Sequence, residues 1–134
     1  MNAEIISVGT ELLLGAVVNT DAAIVARALS ELGINLLHAS VVGDNPQRLK
    51  EAVETAIRRS GLLIMTGGLG PTTDDLTKET TAAAAGKKLA LHEESLRRIE
   101  NYFNEKHVSE NQAKQAWLPE GCHEQRNCLT LSAG

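Results

Sequence analysis

The sequence predicts an α/β fold: a doubly wound, mostly parallel sheet with helices on both faces. Three observations predict it. Apolar runs of strand length recur at residues 3–8, 34–42 and 62–66, and each closes on glycine, at Gly9, Gly43 and Gly67-Gly68. Segments with helical periodicity fill the gaps between them. The connections are short, with no Pro/Ser-rich linker and no internal repeat, so strand, helix, strand, helix, strand, helix reads as right-handed βαβ units within one domain over residues 1–134.

Each element has its own justification. The first and third runs (AEIISV and LLIMT) are apolar on both faces, as expected of parallel strands covered on both sides. In residues 20–32, Val25, Ala28, Leu29 and Leu32 fall at i, i+3, i+4 and i+7, Asn19-Thr20 supplies a cap motif, and Gly33 is a natural stop. In 46–60, Leu49, Ala52, Val53, Ala56 and Ile57 form the cleanest stripe in the chain, with Asp44 or Asn45 as cap and Pro46 in the first turn. Residues 74–85 carry Leu76 and an alanine run, with Thr72 or Thr73 as cap and Gly86 as stop. Residues 93–106 put Leu96, Ile99 and Phe103 on one face, with His92 at the helix start, and 110–116 reads as a shorter helix.

Composition narrows the function classes. Thirteen Lys and Arg against seventeen Asp and Glu give a net charge of -4 with no basic block, so sequence-independent nucleic-acid binding lacks its electrostatic basis. Tyr102, Phe103 and Trp117 are the whole aromatic complement, which excludes a base-stacking platform and demands an aliphatic core. Cys122 and Cys128 match no zinc knuckle and read as reduced thiols, and none of the four histidines forms a metal-ligand spacing or a nucleophile motif. No run approaches the ~18 apolar residues of a membrane span and no leader pattern opens the chain, so the expected location is cytoplasmic, with no membrane partner.

In an open α/β sheet, ligands bind beyond the carboxyl ends of the strands. That rule directs attention to three loops: Gly9-Thr10-Glu11, Gly43-Asp44-Asn45, and the run from Thr66 to Asp75. The last reads Thr-Gly-Gly-Leu-Gly-Pro-Thr-Thr-Asp-Asp. Three glycines in four positions let the backbone turn tightly and a ligand approach closely. The helix start behind them offers unpaired N–H groups and a positive dipole end, which suits a phosphate. Neither a Walker A ending nor a full dinucleotide fingerprint is present, so the glycines either cradle an anion or only shape a turn. Asp74 and Asp75 either complement the helix dipole or hold a divalent cation against ligand phosphates. Asp44 is either a cap or a third carboxylate in that site, and Thr10, Glu11 and Asn19 are either capping groups or ligand contacts.

Taken together, these residues resemble a known family. Residues 1–121 resemble the molybdopterin-binding domain of the MoaB/MogA type and, within that superfamily, the N-terminal domain of CinA-type competence/damage-inducible proteins. The resemblance rests on Ile6 to Gly15, Val18-Asn19-Thr20, Val42 to Asn45, and Thr66 to Thr77. It is extended by Leu91-His92-Glu93, by Asn111 with Lys114-Gln115-Ala116, and by Pro119-Glu120-Gly121. Thr66–Asp75 combined with Gly9 to Leu12 is its specific part.

The resemblance implies a ligand site at the strand carboxyl ends. It assigns Asp44 and Asp75 to catalysis and, with Asp74, to a divalent metal such as magnesium, cobalt or nickel. Gly9, Thr10, Glu11, Asn19, Thr66, Gly67, Gly68, Gly70, Pro71 and Thr72 are assigned to the ligand. It implies a metal-dependent pyrophosphatase acting on a nucleotide diphosphate such as ADP-ribose. The alternatives are a non-catalytic nucleotide or pterin binding module, and a remnant with little activity. The deamidase domain of longer members has no counterpart in these residues. After Gly121 the sequence departs from the family: Asn127 is followed by Cys-Leu-Thr-Leu-Ser-Ala-Gly rather than a Gly-Thr-Ala-Pro-Gly-like loop. A final strand is therefore expected to be missing, and the uncovered surface favours a homo-oligomer.

Overall fold

The computed structural model describes residues 1–104, 106–125 and 128–130. The departure from the family pattern falls largely on Asn127 and residues 131–134, outside the described residues. The chain forms two compact units, residues 1–68 and 69–134.

The first unit holds β1 (Asn2–Val8), α1 (Thr10–Leu13), α2 (Thr20–Glu31), β2 (Asn35–Val42), α3 (Pro46–Arg59) and β3 (Leu62–Thr66). The strands form a parallel sheet in the order β2-β1-β3, with Val8 level with Val42 and Ser7 level with Thr66. Side chains alternate across β1, and the two faces are covered differently. Ala3 and Ile5 face α2 and pack with Leu29, Ala22 and Val25, joined by Ile34, Leu36, Leu62 and Ile64. On the other face α3 lies on β1 and buries Leu49, Val53 and Ala56. The stripe read from the sequence is therefore the packed stripe.

Glu4 points to the α3 side and is 1% exposed. Its carboxylate accepts from Arg59 Nε at 2.9 Å, Arg59 Nη2 at 2.6 Å and Ser60 Oγ at 3.0 Å. A buried charge is tolerated when it is paired and hydrogen-bonded in this way. The Arg59 guanidinium holds the Glu4 carboxyl below the ordinary range, against the opposing effect of burial.

The second unit holds α4 (Thr77–Ala84), β4 (Leu89–Leu91), α5 (Glu93–Phe103), α6 (Glu110–Ala113), a 3-10 turn (Lys114–Ala116), β5 (Trp117–Pro119), β6 (His123–Gln125) and β7 (Cys128–Thr130). Its strands form two short antiparallel pairs, β4 with β5 and β6 with β7. Three residues per strand are too few for a periodicity signal, which is why the sequence does not announce them.

Three helix boundaries differ from expectation: those of α4 and α5, and that of α6, which is α-helical only to Ala113 and gives way to the 3-10 turn at Lys114–Ala116. α4 starts at Thr77 rather than residue 74, and its cap is Leu76 with no side-chain bond, not Thr72 or Thr73. Residues 72–75 form a separate turn, with the Asp75 N–H donating to the Thr72 carbonyl at 3.2 Å. α5 ends at Phe103 rather than residue 106, because Asn104 adopts a left-handed conformation (φ 54°) that terminates the helix. The other caps sit where expected: Asn19 accepts from Ala22 N–H, Asn45 from Arg48 N–H, and His92 from Ser95 N–H.

Candidate functional site

In the first unit, β1 and β2 end together. The Gly9 N–H donates to the Val42 carbonyl at 2.9 Å and carries the strand ladder one step further. Beyond it, Thr10 and Asp44 bond reciprocally: the Asp44 N–H donates to Thr10 Oγ1 at 3.0 Å, and the Thr10 N–H donates to Asp44 Oδ2 at 3.4 Å. Both residues are exposed. Of the two cap candidates before α3, Asn45 takes the role, which leaves Asp44 to serve this turn. Glu11 folds its carboxylate back over Gly9, where an added Cβ would stand 2.5 Å from Oε1.

Asn19 is bound at both ends of its amide. Oδ1 caps α2 by accepting from Ala22 N–H at 3.3 Å, and Nδ2 donates to Ser7 Oγ at 3.0 Å. The first bond satisfies an orphan helix donor and the second satisfies the hydroxyl of Ser7, a residue that is 1% exposed. Thr66 closes β3 half-buried. Gly67 follows with φ +81°, and a Cβ there would stand 2.1 Å from the Val8 carbonyl oxygen. Glycine at this position is required by the close approach of two backbones as well as by the positive φ.

In the second unit, residues 69–75 form a loop organised around one carboxylate. Asp75 Oδ2 accepts from the Thr72 hydroxyl at 2.7 Å and from the Thr72 N–H at 3.0 Å. Gly70 lies close enough that a Cβ would stand 2.7 Å from the same oxygen. The Thr72 hydroxyl is the main influence holding the Asp75 carboxyl below the ordinary carboxylate range. Partial burial opposes it, while the amides of Thr72 and Gly70 and the nearby Lys114 charge assist. Asp75 is therefore ionised at neutral pH. Pro71, Thr72 and Asp74 are exposed beside it.

The loop is also held from the side of its carbonyls. Lys114 Nζ donates to the carbonyl oxygens of Thr72 and Asp75, and Gln115 Nε2 donates to the Leu69 carbonyl at 2.9 Å. Lys78 Nζ in turn donates to the Lys114 carbonyl at 2.7 Å. Burial lowers the Lys78 amine below the usual lysine value, with the Glu79 carboxylate opposing and Lys114 assisting. Sequence reasoning assigns these three side chains no role. Lys114 and Gln115 stand in a matching segment of the resemblance, which is a signal of position without a signal of purpose.

The expected site residues thus fall in two clusters. Gly9, Thr10, Glu11 and Asp44 come together in the first unit, where Asn19 caps α2 and bonds to Ser7 of β1, and Thr66–Gly68 lie at the end of β3. Gly70, Pro71, Thr72, Asp74 and Asp75 come together in the second. Among the described residues, no three His, Cys, Asp or Glu side chains group closely enough to hold a metal ion by themselves. Among the same residues, no helix is long and apolar enough to cross a membrane.

Comparison with known proteins agrees with this architecture. The family model described as "Probable molybdopterin binding domain" matches residues 4–127. A CinA-like protein of Desulfovibrio desulfuricans is 57% identical over 121 residues, covering 90% of this chain and 28% of that protein. A CinA-like protein of Dictyoglomus thermophilum is 54% identical over 123 residues, covering 90% and 30%. The chain thus spans about 30% of the length of the curated relatives it matches. Among solved structures, the protein CinA of Thermoplasma acidophilum superposes with a TM-score of 0.85 at 34% identity, covering 91% of this chain and 72% of that one. The molybdopterin biosynthesis enzyme MoaB of Thermus thermophilus shares the fold at 15% identity, with a TM-score of 0.62 and coverage of 96% and 77%. A parallel sheet with helices on both faces, glycine-led loops at its strand ends, and a family match over nearly the whole chain lead to one conclusion: this protein belongs to the molybdopterin-binding domain family.

Proposed function

We propose that this chain binds a phosphorylated small molecule at the 69–75 loop and, with a divalent cation, hydrolyses the diphosphate bond of a nucleotide such as ADP-ribose. The observation that carries the reading is Asp75: an ionised carboxylate fixed at the glycine loop by a hydroxyl and an amide of its own turn.

The donor set suits a hard cation. Magnesium is usually bound through one or two carboxylates, with substrate phosphates and water completing its shell, so no cage of three acidic residues is needed. In this reading Asp75 and the adjacent, exposed Asp74 would supply that pair. A cation bound there would neutralise phosphate charge and make an attacking water more acidic. The chain's own residues do the rest. Glycine at position 70 leaves the Asp75 carboxylate room beside the backbone, where a Cβ would stand 2.7 Å from Oδ2, and a glycine-led turn lets a ligand approach backbone amides closely. The Thr72 hydroxyl, already donating to Asp75, fixes the carboxylate before any ligand arrives. The Thr10–Asp44 turn of the first unit, whose hydroxyl, amide and carboxylate bond to one another, is a separate candidate, and Asp44→Asn tests it on its own.

The test is ADP-ribose hydrolysis with magnesium, cobalt or nickel, following AMP and ribose 5-phosphate. Asp75→Asn keeps the shape and removes the charge. Its expected effect is a loss of about 100-fold or more, typical of removing a charged group from a reacting centre. Equal rates in the variant and the parent end this reading. A second reading has an observation in its favour: Asp75 spends Oδ2 on its own turn, and three acidic residues do not cluster among the described residues. The loop then holds a nucleotide or a pterin without turnover, and calorimetry showing binding without product selects this reading.

A further inference from the structure

We infer that Lys114 is the positioning residue of the glycine loop: its ammonium, shared between the carbonyls of Thr72 and Asp75, fixes the peptide planes that carry the loop's binding groups. The inference rests on the reading of residues 69–75 as the ligand-binding element and says what sets that element's shape.

The geometry is that of a strap. Lys114 grips the loop at Thr72 and Asp75, and its neighbour Gln115 grips it at Leu69. A trans peptide is planar, so its N–H points opposite to its C=O, and the chain contains no cis peptide among the described residues. Pulling the carbonyls of Leu69, Thr72 and Asp75 towards residues 114–115 therefore turns the N–H groups of Gly70, Thr73 and Leu76 the other way. The amides that a ligand phosphate needs are aimed by bonds made on the far side of the same peptides. The ligand need not touch Lys114 for this to work.

The strap is itself anchored. Ala116, at the end of the 3-10 turn, is fully buried. A capping box between Ser109 and Gln112 sets the start of α6, which runs directly into that turn. Lys78 fixes the Lys114 backbone through its carbonyl. A lysine carries three donors and no acceptor, so it can serve two carbonyls at once, and charged donors make the stronger bonds. Methionine at this position would fill similar space and make neither bond.

The experiment compares the parent chain with Lys114→Met, Lys114→Arg and Gln115→Leu. Amide hydrogen exchange on the unliganded protein reads the strap directly. Lys114→Met is expected to accelerate exchange of the Thr72 and Asp75 amides by about tenfold or more, while Ile5 and Ile6 in β1 stay protected. Lys114→Arg restores two charged donors and recovers most of the protection. Gln115→Leu, which leaves the lysine in place, loosens the Leu69 end only and serves if Lys114→Met does not fold. A second measurement is calorimetry with ADP-ribose and magnesium, where Lys114→Met is expected to bind about tenfold more weakly and Lys114→Arg to recover most of the affinity, a rescue by the conservative variant that mere structural support would not give. Unchanged exchange in Lys114→Met, or exchange raised equally in β1, overturns the inference. So does parent-like affinity in that variant when the parent binds. A parent that binds no ADP-ribose, with the exchange change present, overturns the proposed ligand reading and with it the binding role of Lys114.

Discussion

The two units hold their loops by different means. In the first, the turns at residues 9–11 and 67–68 are fixed by the strands they follow, and the turn at 43–45 bonds to the first of them: Gly9 extends the β1–β2 ladder, Gly67 lies against the Val8 carbonyl with no room for a side chain, and the Asp44 N–H donates to Thr10 Oγ1. In the second, the loop at 69–75 follows β3 through Gly67-Gly68 but takes part in no strand ladder. It is held by its own carboxylate and by a lysine that lies 39 and 42 residues downstream of the two carbonyls it grips. The first arrangement makes the loop part of the fold, so altering it should damage stability. The second makes the loop an attachment to the fold, so altering it should damage binding while the fold survives.

Substitutions of two glycines sharpen that contrast. Gly67→Ala places a Cβ 2.1 Å from a backbone oxygen at a residue with positive φ, and neither atom can step aside. The expected cost is on the order of 3 kcal/mol of folding stability, measured by urea denaturation. A loss below about 1 kcal/mol shows that the turn relaxes freely and is not built into the sheet end. Gly70→Ala places a Cβ 2.7 Å from Asp75 Oδ2, the end of a side chain that can rotate away. The stability loss is expected to stay under about 1 kcal/mol. The freed carboxylate leaves its Thr72 partners, and affinity for ADP-ribose with magnesium is expected to fall about tenfold. If Gly70→Ala instead matches Gly67→Ala in the denaturation experiment, the distinction between built-in and attached loops fails.

Acid gives the smallest effect. The Asp75 carboxyl has a lowered value in the folded chain, so its contribution to stability is complete above the ordinary carboxylate range. That contribution is lost as the pH falls through the folded value. Comparing the parent with Asp75→Asn between about pH 6 and pH 2 should therefore show a parental advantage that shrinks on acidification. A gap that is constant with pH assigns the effect to shape instead of charge.

The same division decides what the sequence reveals. The first unit is legible because its signals are local: the apolar run 62–66 is β3 as it stands, and the Leu49, Val53, Ala56 stripe is the buried face of α3. The α4 start departs from expectation for a physical reason. Thr72 and Asp75, three residues apart before an alanine-rich stretch, look like a helix-capping pair, and they do bond to one another. They bond as a free turn one step before the helix, and nothing local distinguishes the two outcomes. Residues such as Asp75, Gly70 and Thr72 can be nominated from the loop's composition. Lys114 cannot be given its task, because its partners are carbonyls, which every residue has, and their distance along the chain erases the pattern.

The Glu4–Arg59–Ser60 cluster gives the first unit a reporter of its own opening. Carboxyl-modifying reagents followed by mass spectrometry reach an acid only when it is presented to solvent. The Glu4 carboxylate, enclosed by a guanidinium and a hydroxyl, is 1% exposed and stays unmodified while α3 remains in place. Label arriving there dates the moment the helix lifts from the sheet, with no probe engineered into the chain.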